Sequence, residues 1–377
     1  MAPWHLITCE FPPATGGVSD HSGVLADFAA GRGLDVHVWA PAGAGPRARL
    51  QVHDVFGRFT SDDLARADRL LAAYPAPRRL VVQWVPHGYG RRGLNVQFSR
   101  WIARRARAGD EIDVVVHEPF VDYFGHSWGQ PARAVIQRYM ARLVLRSARR
   151  VWVSIPAWNS RLETPWLRLS ESPRVLPVPG TIPVDDDPEA ARAIRGKLLG
   201  DRAQRLVGYF GAGGTYAERA LSEAIAALRQ MRSDVVVVCF GRGSDGVASR
   251  LTKADRNPDG TISGTGELPS RELSHYLRAC DLVLQPYEDG VSGRRTTTTS
   301  ALEHGVPVAT TLGALTEPFW RDTAAIEAAP VGTPASLAGA VERLLDPARN
   351  AEAREGARRL YHERFTPGVA FAPLFAD

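Results

Sequence analysis

The residues with the clearest chemical potential are two adjacent arginines, Arg294 and Arg295, which precede four threonines in the stretch DGVSGRRTTTTS. A short apolar run comes before them, and Gly290 and Gly293 lie in between. This order predicts a buried strand, a glycine-containing loop and a helix that begins near Thr296. Backbone N–H groups, threonine hydroxyls and two guanidinium groups would converge there, which suits a diphosphate. A capped helix with solvated arginines is the alternative.

Two glycine-rich turns each follow an apolar run, one near the start of each half of the chain. The first contains Gly16 and Gly17, and Arg219 lies in the helix predicted after the second. Glycine allows the backbone to approach a ligand closely, and a helix start offers free N–H groups. The first turn lacks the GxGxxG fingerprint, which disfavours a nicotinamide-dependent dehydrogenase. A plain tight turn is the alternative for the first. The second turn supplies three glycines: Gly211, Gly213 and Gly214.

Three histidines are candidate polar groups for a site in the first half. His117 ends the apolar strand predicted at 112–117, and sites of α/β proteins form at the carboxyl ends of parallel strands. His21 lies in the first predicted helix, and His87 lies in the loop PHGYGRRGLN, where both could contact an acceptor. A structural or surface role is the alternative for each.

The elements that would position these residues are alternating strands and helices. Runs such as VVQWV and DVVVH are continuously apolar, which is typical of a parallel sheet covered on both faces. A segment rich in proline, glycine and aspartate at 171–190 interrupts the alternation, which then restarts. The sequence therefore predicts two Rossmann-like doubly wound domains, at 1–178 and 179–358. An apolar and aromatic tail at 359–377 is expected to pack back toward the first domain.

Composition bounds the class of protein. A chain of 377 residues is long enough for two or three domains, and its net charge of +5 is unevenly distributed, since residues 1–177 sum to +8 and the remainder to −3. Cys9, Cys239 and Cys280 are far apart, so they predict reduced thiols in a cytoplasmic protein and no metal site. No signal peptide or membrane-spanning run is visible, and nothing resembles a nucleic-acid-binding element.

The predicted helix at 98–108 carries Arg100, Arg104, Arg105 and Arg107 among aromatic and aliphatic residues. A basic helix face with an aromatic edge can lie on an anionic membrane. The sequence therefore allows a peripheral contact at the inner membrane surface, and a plainly solvated helix is the alternative.

The order of these segments resembles the GT-B glycosyltransferases, specifically the retaining glycosyltransferase family 4. The similar segments are FPPATGG, VVVHEPF, PVPGTIPV, FGAGG, GELPSRELSHYLRACDLVLQPYEDG and ALEHGVPVATT, and the last two are the most specific. The resemblance implies two Rossmann-like domains that face a central cleft. The second would bind a nucleotide-sugar donor and the first an acceptor, with no cofactor besides the donor.

The resemblance also implies roles for individual residues. His117 would lie near the reacting sugar, and the glycine loop at 16–17 near the donor phosphate and sugar. Arg219 would contact the diphosphate, while Glu267 and Leu268 would lie in the segment whose backbone reads the base. Residues 292–297 would form the loop and the helix start beneath the phosphates. Besides the two arginines, the donor-binding residues in this range would be Ser292, Gly293, Thr296 and Thr297.

One departure from the family pattern concerns two glutamates separated by seven residues. Alignment on the HGVP segment places Ser292 and Ser300 at these positions, where the first glutamate would contact the donor sugar and the second the ribose. The leading hypothesis is a hexosyltransferase that transfers a sugar with retention. The alternatives are a catalytically silent nucleotide-sugar-binding partner protein and a nucleotide-sugar epimerase.

Overall fold

The computed structural model describes residues 3–123, 129–200, 204–254 and 261–376. The chain divides into two compact units, Met1–Pro177 with Ala370–Asp377, and Val178–Val369. Each unit is a parallel sheet covered by helices, so the expectation of two Rossmann-like α/β domains is confirmed.

The described part of the first unit contains a sheet of seven parallel strands in the order β3-β2-β1-β4-β5-β6-β7. The strands are β1 (Trp4–Ile7), β2 (Val36–Pro41), β3 (Leu50–Phe56), β4 (Arg79–Trp84), β5 (Glu111–Val116), β6 (Arg150–Val153) and β7 (Arg174–Val175). The helices are α1 (Gly17–Gly31), α2 (Ser61–Leu71), α3 (Val96–Arg107), α4 (Gln130–Leu145) and α5 (Asn159–Leu162), with 3₁₀ turns at Pro86–Gly88, Arg91–Gly93 and Pro156–Trp158.

The second unit repeats this plan, with the order β10-β9-β8-β11-β12-β13 among its described residues. Its strands are β8 (Arg205–Phe210), β9 (Val235–Phe240), β10 (Ile262–Gly264), β11 (Leu282–Gln285), β12 (Val308–Leu312) and β13 (Ile326–Pro330). Its helices are α6 (Pro188–Leu199), α7 (Thr215–Met231), α8 (Ser244–Ala254), α9 (Ser270–Ala279), α10 (Thr296–Glu303), α11 (Pro334–Leu345) and α12 (Pro347–Arg364), with a 3₁₀ turn at Pro318–Arg321; the final helix is α13 (Pro367–Phe375).

Strand β9 shows why the sheet of the second unit must be covered on both faces. Alternate side chains of a strand point to opposite faces, and in β9 all of them are buried. Val236 and Val238 join the core on one face, whereas Val235 and Val237 join the core on the other. Helices therefore pack on both sides, as the continuous apolar runs predict.

In each sheet the order of the strands changes direction between the first and the fourth strand of the unit in chain order. These positions lie between β1 and β4 in the first unit, and between β8 and β11 in the second. Loops that leave neighbouring strands on opposite faces open a crevice at the carboxyl ends of such strands, and ligands bind there in open α/β sheets.

Part of the segment predicted as a linker is helical. Helix α6 begins at Pro188, where Asp187 accepts hydrogen bonds from the backbone N–H groups of Glu189 and Ala190. Aspartate before a proline at the first helical position is a helix-start signal as well as a loop signal.

The end of the chain belongs to the first unit from Ala370 onward. Phe371 and Leu374 are buried in the same core as Trp4. Arg150 donates to Asp113 at 3.0 Å and to the carbonyl of Leu374 at 3.2 Å. Apolar burial and buried charged hydrogen bonds therefore both fix this segment.

Candidate functional site

A cavity of about 590 Å³ opens at the carboxyl ends of β8 and β11, the two neighbouring strands between which the strand order of the second unit changes direction. This is the position that the topology favours for a ligand. Its walls are the loops that leave the two strands and the first turns of α7 and α10, and the lining residues are Tyr209, Phe210, Gly211, Gly213, Gly214, Thr215, Tyr216, Ala217, Gln285, Pro286, Tyr287, Glu288, Arg294, Arg295, Thr296 and Thr297.

The glycine turn between β8 and α7 forms one wall of the cavity. Gly213 has a φ of +84°, and a Cβ atom there would lie 2.6 Å from Val247 Cγ2. Glu218 holds the turn by accepting a hydrogen bond from the backbone N–H of Gly214 at 3.2 Å, and Arg250 pairs with its carboxylate at 2.6 Å. A larger side chain at Gly213 would therefore displace the wall.

Arg294 and Arg295 form the opposite wall, and both donate to the carboxylate of Asp289. The Arg295 guanidinium also lies 4.5 Å from the centre of the Tyr287 ring. The two side chains are largely buried, with exposed fractions of 17% and 25%. Because one carboxylate faces two guanidinium groups, these three side chains carry a net charge of about +1. The guanidinium groups therefore make this wall locally positive, and Glu288, which also lines the cavity, adds one negative charge beside it.

Helix α10 begins at this wall. Thr298 and Thr299 donate their backbone N–H groups to the carbonyl of Arg295, which marks the first turn. The Tyr287 hydroxyl lies 2.8 Å from the hydroxyls of both Thr297 and Thr298. The first N–H groups of a helix have no partner within it, so the start of α10 offers donors to an anion in the cavity.

A buried glutamate that the sequence analysis did not identify supports the loop before α10. Both carboxylate oxygens of Glu317 accept from the backbone N–H of Gly293, at 3.0 and 3.2 Å. The indole N–H of Trp320 donates to the same carboxylate at 3.0 Å. Burial raises the pKa of Glu317, and the hydrogen bonds oppose that rise. Glu317 is 24 residues from Gly293 in the sequence, and no local sequence pattern predicts a contact over that separation.

Several predicted donor-binding residues of the second unit lie outside this cavity. Arg219 is exposed on α7 and lines a separate cavity of about 30 Å³ beside Thr333. Glu267 is exposed, and Leu268 packs against the core, in the loop after β10. The cavity thus unites the glycine turn, the arginine pair, Thr296 and Thr297, but not these three.

Two other predicted residues lie in the loop that carries the arginines, and neither lines the cavity. Ser292 is fully buried, and its carbonyl accepts from the backbone N–H of Arg295 at 3.0 Å. Gly293 is bound by Glu317. Ser300 is also buried, and its hydroxyl accepts from the backbone N–H of Thr181 at 3.1 Å.

In the first unit, His117 and His21 lie together at the end of β5. Their rings meet edge to face, with centroids 4.7 Å apart. His117 Nε2 lies 2.5 Å from the amide oxygen of Gln83, so this nitrogen carries the proton and Nδ1 remains an acceptor. Burial lowers the pKa of His21 to about 4 and that of His117 well below its ordinary value. Both imidazoles are therefore neutral at pH 7.

The glycine loop of the first unit has an anion of its own. Gly16 precedes α1, and Glu10 Oε1 accepts from the backbone N–H groups of Val18 and Ser19 at 3.2 and 3.1 Å. A Cβ atom at Gly16 would lie 2.6 Å from that oxygen. The start of α1 is therefore occupied by a carboxylate of this chain, and Gly17 begins the helix.

His87, the third histidine, is mostly exposed in the 3₁₀ turn after β4. Its Nδ1 lies 3.6 Å from the carboxylate of Glu118. The turn follows β4, which lies beside β1 where the strand order of the first sheet changes direction. His87 therefore lies at the edge of the sheet formed by the carboxyl ends of its strands.

The cavity also contains side chains that the sequence analysis did not select. Tyr209 is the last residue but one of β8, and Gln285 ends β11, where its Nε2 donates to the carbonyl of Phe210 at 3.0 Å. Tyr216 and Tyr287 add aromatic surface to the lining. The sequence could have indicated these four side chains, because they lie at or next to strand ends or in the first turn of α7.

The second unit is similar in sequence to one known family. Residues 204–347 match the family model of the group 1 glycosyl transferases. This stretch includes the cavity and all of its lining residues, and it covers less than half of the chain. No curated protein sequence matches the chain.

Solved structures of glycosyltransferases match nearly the full chain. Sucrose-phosphate synthase from Thermosynechococcus elongatus gives a TM-score of 0.75 at 16% identity, covering 100% of this chain and 98% of that one. HepE from Anabaena, solved in complex with UDP-glucose, gives 0.70 at 15% identity, covering 98% of each chain. WaaG, a glycosyltransferase involved in lipopolysaccharide biosynthesis, gives 0.66 at 16% identity over 97% of each. The GT-B fold is thereby confirmed.

The described helices were also compared with the length and hydropathy that a membrane span requires. None of those within the described ranges reaches both.

Proposed function

We propose that the protein is a glycosyltransferase that moves a sugar from a nucleoside diphosphate sugar to an acceptor hydroxyl. The observation that carries this proposal is the cavity at the β8–β11 position, with two arginines and a helix start on one wall. The group 1 glycosyl transferase match over 204–347 supports it. The similarity to HepE, which was solved with UDP-glucose, supports a donor of this chemical class.

The diphosphate of the donor would bind at the start of α10. Asp289 holds both guanidinium groups at the cavity wall, so they are already oriented before an anion enters. Each guanidinium has five N–H donors, so it can keep a bond to Asp289 and still donate to a phosphate oxygen. As the bond between the sugar and the phosphate breaks, these cations and the helix start would stabilise the charge on the leaving diphosphate.

The transfer itself would proceed with retention of the anomeric configuration. The bond between the anomeric carbon and the phosphate oxygen breaks, and a bond from that carbon to the acceptor oxygen forms on the same face. The departing phosphate oxygen takes the proton of the acceptor hydroxyl, so a side-chain base is not required.

Leaving-group stabilisation by arginines predicts a reaction that needs no divalent cation. A diphosphate is neutralised by cations of either kind, and here two guanidinium groups line the cavity. Transfer is expected to persist in EDTA. Loss of transfer in EDTA and its recovery with Mg²⁺ would contradict this part of the proposal.

A second candidate function is a nucleotide-sugar-binding protein that lacks transfer activity and acts as a partner subunit of an enzyme. It is motivated by Ser292 and Ser300, two buried serines where the resembling family has glutamates. Donor hydrolysis or transfer by the purified chain would exclude it. An epimerase would convert the donor sugar without any acceptor, so product analysis in the absence of acceptor separates that case.

A thermal-shift screen against UDP, GDP, TDP and ADP sugars tests the proposal and identifies the base. A ligand that binds the folded state at 100 times its Kd adds about 2.7 kcal/mol of stability, which is readily measured as a rise in Tm. One nucleotide class is expected to raise Tm well above the others. No shift with any of them would argue against a nucleotide-sugar site.

A further inference from the structure

One carboxylate in the cavity of the second unit has no partner in the described part of the chain. Glu288 is exposed, and among the described residues that line the cavity it carries the only acidic side chain. No arginine, lysine or histidine of the described ranges lies at ion-pair distance from it, and no described N–H or hydroxyl group donates to its carboxylate. A negative charge is therefore present without compensation in a cavity that we assign to an anionic ligand.

Three other carboxylates close to this cavity are satisfied by the protein. Asp289 accepts from both arginines of the wall. Glu218, which follows the lining residues of the glycine turn, pairs with Arg250 at 2.6 Å. Glu317 accepts from the backbone N–H of Gly293 at 3.0 Å. The contrast shows that the protein compensates its negative charges here by pairing or hydrogen bonding, and that the unpaired carboxylate keeps its acceptor atoms available for a ligand.

The chemistry of a nucleotide sugar decides which part of it such a carboxylate can face. Phosphate oxygens are repelled by a carboxylate, and they have their own place at the arginine wall and at the start of α10. The sugar is bonded directly to the diphosphate and consists largely of hydroxyl groups, which are hydrogen-bond donors. An ionised carboxylate is an acceptor only, and its two oxygens can accept from neighbouring hydroxyls of one ring. The sugar is therefore the part that suits Glu288.

We propose that Glu288 selects the donor by the charge of its sugar. This inference rests on the proposed function, because it requires a nucleotide sugar in the cavity. The carboxylate accepts hydrogen bonds from the hydroxyls of a neutral sugar or from the ammonium group of an amino sugar, and it repels a sugar that carries a carboxylate of its own. The substrate class is thus a nucleoside diphosphate with an uncharged or cationic sugar, and donors of uronic acids are rejected.

Calorimetric titration of the full chain with a matched set of ligands tests this assignment. The ligands share the base identified by the thermal-shift screen, and they are the plain nucleoside diphosphate and its glucose, glucosamine and glucuronic acid esters. Glu288→Gln keeps the size of the side chain and removes its charge, whereas Glu288→Asp keeps the charge. The matched control is Glu272→Gln, which removes an exposed carboxylate from α9 of the same unit.

The wild type and the control are expected to bind the glucose ester at least about tenfold more tightly than the glucuronic acid ester, because a hydrogen bond to a charged group is lost and a repulsion is gained. In Glu288→Gln the affinities of these two esters should lie within about threefold of each other, since the charge that separates them is gone. The glucosamine ester should lose affinity in this variant, and Glu288→Asp should retain the preference of the wild type. The plain nucleoside diphosphate should bind Glu288→Gln like the wild type.

Two results would overturn the assignment. The first is equal affinity of the wild type for the glucose and glucuronic acid esters. The second is a loss of affinity for the plain nucleoside diphosphate in Glu288→Gln as large as the loss for the glucose ester, because the residue would then act on the nucleotide or on the loop. Failure of the wild type to bind the plain nucleoside diphosphate would instead refute the donor site itself, so the two failures are distinguishable.

Discussion

Replacing Glu317 with alanine is expected to damage the loop that carries the arginine pair. The change leaves the backbone N–H of Gly293 and the indole N–H of Trp320 without their acceptor, and both residues are buried. A buried donor without a partner costs about 1–3 kcal/mol. Removal of a carboxylate whose pKa is raised by burial offsets part of that cost. The free energy of unfolding of the second unit should fall by about 2–4 kcal/mol.

Urea unfolding combined with hydrogen–deuterium exchange measures this effect and locates it. Exchange should accelerate in residues 290–300, and nucleotide affinity should fall by about tenfold, because a misplaced loop no longer presents both arginines. Glu317→Gln retains one acceptor oxygen and should lose about half as much stability. The control is Glu363→Ala, an exposed position on α12. If Glu317→Ala matched the control in unfolding and in exchange, the supporting role of this carboxylate would be refuted.

Two further predictions concern the first unit. Burial lowers the pKa of His5 to about 3, that of His21 to about 4 and that of His117 well below its ordinary value. The unfolded chain therefore takes up at least three protons below about pH 6.5 that these residues of the folded unit do not bind, and the free energy of unfolding should fall by about 4 kcal/mol per pH unit between about pH 5.5 and pH 4.5. Equal urea midpoints at about pH 7.5 and pH 5 would contradict this. Deleting residues 370–377 removes the buried Phe371 and Leu374, so the free energy of unfolding of the first unit should fall by about 3–6 kcal/mol, while the second unit unfolds as before. An unchanged Tm of the first unit in the truncated protein would exclude this role of the tail.

Continuous apolar runs made most of the sheet predictable. In β9 and β11 every residue is apolar or nearly so, as buried parallel strands require. β3 was missed because Gln51, His53 and Asp54 interrupt its apolar residues, and an edge strand is half solvated. β13 was missed for the same reason, since it is short and contains Glu327.

Helix starts were harder to predict, because distant residues stabilise them. α1 contains His21, as predicted, but it begins four residues earlier at Gly17, where the carboxylate of Glu10 binds the first N–H groups. α7 begins at Thr215, so Arg219 lies in its second turn and outside the cavity lining. A propensity pattern contains no information about a cap supplied from another loop.

The arginine wall was predictable from residue type and spacing, but its partners were not. Adjacent arginines between glycines and a threonine-rich helix start indicated an anion site, and the structure places both in the lining of the cavity. The pairing of both with Asp289 depends on how the loop turns at Gly290, whose φ is +84°. The support from Glu317 depends on a contact across 24 residues.

Calorimetric titration of the nucleoside diphosphate identified by the screen tests the central claim most directly. Arg294→Ala/Arg295→Ala is compared with Arg358→Ala/Arg359→Ala, an adjacent and exposed pair on α12 of the same unit. Charge-assisted hydrogen bonds contribute about 1.5–3 kcal/mol each, so the loss of two should weaken binding of the first variant by at least about 100-fold, while the second binds like wild type. Unchanged affinity in a folded Arg294→Ala/Arg295→Ala protein would contradict the assignment of this wall to the donor diphosphate.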